Sequence, residues 1–248
     1  MKWIKALFFN LWKLYVGLIF SLTAVLLYPF FLLILALPNG RLHSFKLFVI
    51  WSRIIQIFCL YPSKKNQNIS KVVGPMIILP NHTSYLDIFL MCSLFPEKPF
   101  LFMGKSEILS YPIIKTYFKK LNIPVDRTNK IRAGQAFIRA KLALEEGFSL
   151  VIFPEGGIPH KKAPELGNFK DGAFLLAEKT GVPLIPIAFL NHHKLFSDPN
   201  DFFGSAGPGV SHVYVHDPVY VKVGFVAETR KICKDLIQSS LDEDAKNK

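Results

Sequence analysis

Residues 76–90 read MIILPNHTSYLDIFL: an apolar run, a turn holding one histidine and one aspartate, then a second apolar run. The apolar residues before Pro80 fit a short strand buried on both faces, as in parallel sheets. Ser84-x-x-Asp87 ahead of a second apolar run fits a capped helix start, with Ser84 as cap and Asp87 at the third helical position. The stretch therefore predicts strand, loop and helix, with His82 presented by the loop.

A carboxylate at that third position points back toward the residues before the cap, where His82 stands. A carboxylate that accepts from one imidazole nitrogen fixes the tautomer and raises the basicity of the other. That other nitrogen can then take a proton from a hydroxyl. Thr83 and Ser84 read as turn and cap residues rather than nucleophiles.

Downstream, the same alternation recurs. Strand patterns fall at 100–103, 149–153 and 184–189, and the 212–223 region reads as two strands around Asp217-Pro218. Helical patterns fall between them. In 131–146, Ala133, Ala136, Phe137, Ala140 and Leu144 share a face, and Gly147 stops the helix. Others are 170–180, ended by Gly181, and about 227–241. The alternation predicts an α/β fold with a mostly parallel sheet flanked by helices. A second loop, FPEGG at 153–157, also follows a buried strand. In a parallel sheet both loops leave the same edge, where ligand sites collect, so His82, Asp87 and Glu155 are expected to converge.

Upstream, the composition changes. Asp87 is the first acidic residue of the chain: residues 1–86 hold nine Lys or Arg and no Asp or Glu, against 21 basic and 18 acidic residues in 87–248. Most of the +12 net charge thus sits in an apolar third, which fits an anionic membrane surface and argues against nucleic acid as a partner. Residues 14–37 carry no charge and are long enough to cross a hydrocarbon core, with Pro29 as a candidate kink. A second apolar stretch, 44–60, completes an N-terminal membrane-associated helical hairpin. Lys2, Lys5 and Lys13 precede the long stretch, and Arg41, Lys46 and Arg53 follow it. The positive-inside rule then places both flanks on the cytoplasmic side, which favours a re-entrant pair, with a single span as the alternative.

The polar SKKNQNISK at 63–71 reads as a linker. The expected division is 1–62 as the membrane-associated segment and 63–248 as an α/β domain. Cys59, Cys92 and Cys233 are widely spaced in apolar surroundings and read as buried thiols of a reducing compartment. No metal or cofactor is expected: His192-His193 are adjacent and His212 and His216 share a strand face, but no acidic or cysteine partner completes a site.

These residues resemble the glycerophospholipid acyltransferase family, most of all the 1-acyl-glycerol-3-phosphate acyltransferases. Asn81, His82 and Asp87 match its N-H-x4-D motif, and Phe153 to Gly156 match the first four residues of F-P-E-G-T-R. MGKSEI (103–108), IPVDR (123–127), FKDG (169–172) and VPLIPI (182–187) resemble its other blocks, so the likeness spans nearly half the chain. The resemblance implies transfer of a fatty acyl group from acyl-CoA or acyl carrier protein to the hydroxyl of a lysophospholipid among membrane lipids. His82 would be the general base, Asp87 its orienter, and the domain would face the cytoplasm. The oxyanion would need backbone N–H donors near the helix start or in the Gly156-Gly157 turn.

One departure concerns the acceptor. Gly157 and Ile158 stand where the motif has Thr and Arg. Lys105, Arg127 and Lys170, which sit in the other matching blocks, are the expected replacements, ahead of His160, Lys161 and Lys162. The acceptor-binding set is then Asn81, Lys105, Arg127, Glu155, Gly156, Gly157 and Lys170. Two alternatives stay open: another lysolipid acceptor, such as a lyso amino lipid, and a non-catalytic membrane adaptor on the same fold.

Overall fold

A computed structural model describes the chain apart from residues 68, 70, 71, 111, 159–164 and 248, and apart from the side chains of 108, 112–114 and 119. His160, Lys161 and Lys162 fall outside the described residues. The element order is α1 (Lys2–Leu35), α2 (Gly40–Phe58), β1 (Ser63–Lys65), β2 (Ile77–Pro80), α3 (Leu86–Leu94), β3 (Phe100–Lys105), a 3-10 turn (Ser106–Ser110), α4 (Pro112–Leu121), β4 (Ile123–Val125), α5 (Lys130–Glu145), β5 (Ser149–Ile152), α6 (Gly172–Thr180), β6 (Leu184–Phe189), α7 (His192–Leu195), β7 (Ser211–Val215) and α8 (Val226–Lys246).

The strands form one sheet in the order β1-β7-β6-β2-β5-β3-β4. Its assigned strand pairings are parallel, as the long apolar runs require: every residue of β2, β5 and β6 is buried. The register pairs Ile77 with both Leu150 and Leu184, so β2 lies between β5 and β6. The loops after β2 and β5 therefore leave adjacent strands at one edge.

Two expectations change. Ser63–Lys65, read as part of a linker, pairs with β7 as Ser63↔Ser211, Lys64↔His212 and Lys65↔Val213. A three-residue polar edge strand has too little apolar alternation to stand out in sequence. The 212–223 region holds one strand instead of two; past Val215, Pro218 cannot donate to a ladder, and only an isolated antiparallel bridge, Leu184↔Val219, follows. Helix α4, strand β4, the short helix α7 and the 3-10 turn are additions to the elements expected from sequence.

Chain contacts divide the molecule into two compact units: Met1–Lys65, Thr83–Pro96 and Phe189–Val213 form the first, and Asn66–His82, Glu97–Ala188 and Tyr214–Lys248 the second. In the first unit, α1 and α2 run antiparallel. Tyr15 Oη donates to the Phe58 carbonyl at 2.9 Å, Trp51 Nε1 donates to Thr23 Oγ1 at 2.8 Å, and the Phe31 and Phe48 rings lie 4.5 Å apart, pairing the start of one helix with the end of the other. Asn39, with φ of 57°, makes the turn between them. Helix α3 packs on α2 through Ser52 Oγ, which donates to the Phe89 carbonyl at 2.6 Å. Among the described residues α1 is the one helix long and apolar enough to cross a membrane, and it leaves side chains such as Leu14, Leu18 and Leu33 exposed. In the second unit α5 packs on β4 and β5, α6 packs on β2, and α8 packs on α6. Cys59, Cys92 and Cys233 are free and buried.

Candidate active site

In the second unit, β2 ends at Pro80, and the Asn81 N–H continues its ladder to the Ile187 carbonyl at 3.2 Å. Asn81 is fully buried, and His82 is buried as well, with 8% exposure. The His82 imidazole stacks on Phe153, ring centroids 4.1 Å apart and planes 24° from parallel. Glu155 joins the two loops: Oε1 accepts the His82 N–H at 2.8 Å and Oε2 accepts the Gly167 N–H at 2.6 Å. Glu155 thus holds backbone of two loops, one through each carboxylate oxygen.

Phe153-Pro154-Glu155-Gly156 closes a tight turn, with the Gly156 N–H donating to the Phe153 carbonyl at 3.0 Å. Proline supplies the turn's second position, and Gly156, at φ +82°, supplies the left-handed one. The glycine is also required by its neighbours. A Cβ there would collide with Arg127 Nη1 and come within 3.1 Å of Lys170 Cε, while one at Gly157 would sit 3.5 Å from Lys105 Nζ. Arg127 Nη1 donates to the Gly156 carbonyl at 2.9 Å, and the Lys170 N–H donates to the Pro154 carbonyl at 2.9 Å. Lys105 ends β3, Arg127 follows β4, and Lys170 precedes α6.

The three cations named from the sequence therefore converge on the turn whose motif lacks its arginine. Their mutual repulsion is visible in Lys170, whose ammonium is held below the usual lysine range chiefly by the Arg127 guanidinium, then by burial, then by Lys105. An anion placed among them would relieve that repulsion.

In the first unit, Ser84 and Asp87 make the expected reciprocal hydrogen bonds, although α3 begins at Leu86 after Tyr85, which puts Asp87 at the second helical position instead of the third. Ser84 Oγ accepts the Leu86 N–H at 3.1 Å, and Asp87 Oδ2 accepts the Thr83 and Ser84 N–H groups at 2.6 and 2.9 Å. The oxyanion donors expected near the helix start are thereby engaged: the Thr83 and Ser84 amides serve Asp87 and the Leu86 amide serves Ser84. The Gly156 amide is likewise taken by its own turn. Asp87 is fully buried, and its Oδ1 lies 2.6 Å from Nδ1 of a second buried histidine, His192. Sequence reasoning weighed His192 only as a metal ligand beside His193, and no metal cluster occurs among the described residues. A carboxylate that is wholly buried must find donors, but the burial of Asp87 that calls for this partner appears only in the structure.

The family profile described as Acyltransferase matches residues 63–190, just over half of the chain. A chloroplastic 1-acyl-sn-glycerol-3-phosphate acyltransferase of Brassica napus is 29% identical over 77% of this chain and 54% of its own length. One from Arabidopsis thaliana is 32% identical over 62% of this chain and 42% of its own length. The chain thus matches about half the length of these plant relatives. A 1-acyl-sn-glycerol-3-phosphate acyltransferase of Borreliella burgdorferi is 28% identical over 71% of this chain and 70% of its own length. The crystal structure of the 1-acyl-sn-glycerophosphate acyltransferase of Thermotoga maritima superposes with a TM-score of 0.72 at 23% identity, covering 98% of this chain and 97% of that one, so the two share a fold. With the profile spanning β1 to β6 and both motif loops, the chain belongs to the acyltransferase family.

Proposed function

We propose that the protein is a membrane-bound 1-acylglycerol-3-phosphate O-acyltransferase that forms phosphatidic acid from lysophosphatidic acid and an acyl thioester. The observation that carries this reading is the convergence of Lys105, Arg127 and Lys170 on the Gly156-Gly157 turn, to which Glu155 also ties the His82 backbone. A phosphate monoester fits three cations and a close-approach glycine turn. Fastening the base to that same turn sets the distance between acceptor phosphate and acceptor hydroxyl.

In this reading His82 takes the proton of the acceptor hydroxyl as its oxygen attacks the thioester carbonyl. The tetrahedral oxyanion then collapses, the C–S bond breaks, and the imidazolium returns its proton to the leaving thiolate. The products are the ester and the free thiol of coenzyme A or acyl carrier protein; no acyl-enzyme is needed. Asp87, five residues downstream, orients His82, and the Gly157 N–H is the candidate oxyanion donor in the turn. Helix α1, with its exposed apolar side chains, supports membrane residence, and the flanking lysines and arginines support a catalytic domain on the cytoplasmic side.

The test is acyl transfer by the purified full-length protein in lipid nanodiscs, with acyl-CoA and acyl-carrier-protein donors offered lysophosphatidic acid or a lyso amino lipid. The native protein is expected to make phosphatidic acid, and His82→Ala to lose on the order of 10²- to 10⁴-fold in rate. Native-rate transfer by His82→Ala would overturn the general-base assignment. Preference for the amino lipid would overturn the acceptor.

A further inference from the structure

Asp87 sits in the first turn of α3, yet its carboxylate is fixed from α7, 105 residues away in sequence. The link is built from buried groups on all sides. His192 has no exposure, its Nδ1 lies 2.6 Å from Asp87 Oδ1, and its Nε2 lies 2.5 Å from Ser211 Oγ. The ring stacks on Phe189 with centroids 4.4 Å apart.

The residue before His192 is bolted to β7. Asn191 Oδ1 accepts the His212 N–H at 2.9 Å, and Asn191 Nδ2 donates to the Val210 carbonyl at 2.8 Å. Ser211 is itself anchored, because its N–H donates to the Pro62 carbonyl at 2.7 Å beside the β1 pairing. A second tie closes the arrangement: the Ser84 hydroxyl donates to the Phe196 carbonyl at 2.6 Å, so α7 grips the loop at both of its ends.

We propose that His192 is a positioning residue for the reaction, an imidazole that locks the Asp87 carboxylate in one orientation by donating Nδ1–H to Oδ1, with Ser211 holding its far nitrogen. This rests on the reading of Asp87 as the orienter of His82. The direction of the hydrogen bond follows from the carboxylate, which can only accept: Nδ1 must carry the proton. The Ser211 hydroxyl engages the far nitrogen, Nε2. Held at both nitrogens, His192 removes the carboxylate's freedom to rotate. With Thr83 and Ser84 N–H on Oδ2, three donors fix a group that would otherwise be a costly buried anion. Metal-bound histidines are set by the same kind of outer partner, whose loss typically lowers activity about 10- to 100-fold.

The test compares full-length His192→Phe and His192→Asn. Phenylalanine keeps an aromatic ring, slightly larger than imidazole, and removes both nitrogens, whereas the asparagine amide can place a donor near the position of Nδ1. His192→Phe is expected to lose about 10- to 100-fold in kcat, to keep the acceptor KM within about twofold, and to shift the acidic limb of the pH–rate profile. His192→Asn is expected to recover most of that loss. Independently of activity, protein labelled with ¹⁵N-histidine should show one solvent-protected imidazole N–H resonance that disappears in His192→Phe and moves in Asp87→Asn. A folded His192→Phe with native kcat and pH profile overturns the proposal. So do equal losses in both variants that track thermal stability, or a native protein lacking the protected resonance. If the native protein transfers no acyl group, the functional reading fails while the resonance still decides the contact.

Discussion

Glu155 Oε1 accepts the backbone N–H of His82 at 2.8 Å, joining residues 73 positions apart across the adjacent ends of β2 and β5. The other oxygen takes the Gly167 N–H. Glu155→Gln replaces one acceptor by an NH₂ group that must face one of these two donors, leaving a donor-donor conflict. A cost of about 1–3 kcal/mol in stability is expected, together with a fall in kcat as His82 loses its anchor. Thermal unfolding and steady-state kinetics on the same preparation check both.

Gly156→Ala meets two obstacles at once. The left-handed backbone at φ +82° costs an L-residue about 1–2 kcal/mol, and the new methyl group collides with the Arg127 guanidinium. The variant should raise the acceptor KM at least as strongly as Arg127→Ala while leaving the donor KM near native. Titration of each substrate separately distinguishes this from general unfolding.

Lys170→Met separates stability from binding. The Lys170 ammonium is held below the usual lysine range, so its charged form is disfavoured in the fold. That penalty is present in full below the folded-state pKa and fades as pH rises through it toward the unfolded value. The variant should therefore match or exceed native stability at neutral pH, lose that advantage at alkaline pH, and bind acceptor more weakly throughout. Inorganic phosphate should stabilise the native protein more than Lys170→Met, as melting curves with added phosphate would show.

Cys92 and Cys233 have no disulfide partner, and burial pushes each thiol up to about 12. Neither is expected to react with maleimide at neutral pH in the folded protein, and both should react after denaturation. Mass spectrometry of pulse-labelled protein reads this directly.

Much of the site was legible because its parts obey local rules. The apolar run before Pro80 and the Ser84-x-x-Asp87 cap placed a loop at a strand end, and parallel pairing brought the Glu155 loop beside it. Lys105, Arg127 and Lys170 came from their blocks, and Gly157 and Ile158 raised the question of what replaces the motif arginine. Helix α4 is also legible, because Ile113, Ile114, Tyr117, Phe118 and Leu121 recur at helical spacing. His192 is different in kind. Its meaning depends on a contact with Asp87 across 105 residues, and a histidine doublet after Asn191 carries no local pattern that distinguishes a core imidazole from a surface one. A structural hydrogen bond at Glu155 is a reading the FPEGG turn allows, but its two partners, backbone amides of separate loops, carry no sequence signal.

The central claim is that the cation-rimmed Gly156-Gly157 turn holds the acceptor's phosphate for a hydroxyl activated by His82. The most direct measurement is kcat/KM for 1-acyl-glycerol 3-phosphate against phosphate-free 1-acylglycerol, in the native protein and in the Lys105→Ala/Arg127→Ala/Lys170→Ala triple variant. The account predicts strong native preference for the phosphorylated acceptor and collapse of that preference in the triple variant, with the phosphate-free rate little changed. Equal use of both acceptors by the native protein, or an undiminished preference in the triple variant, would contradict it.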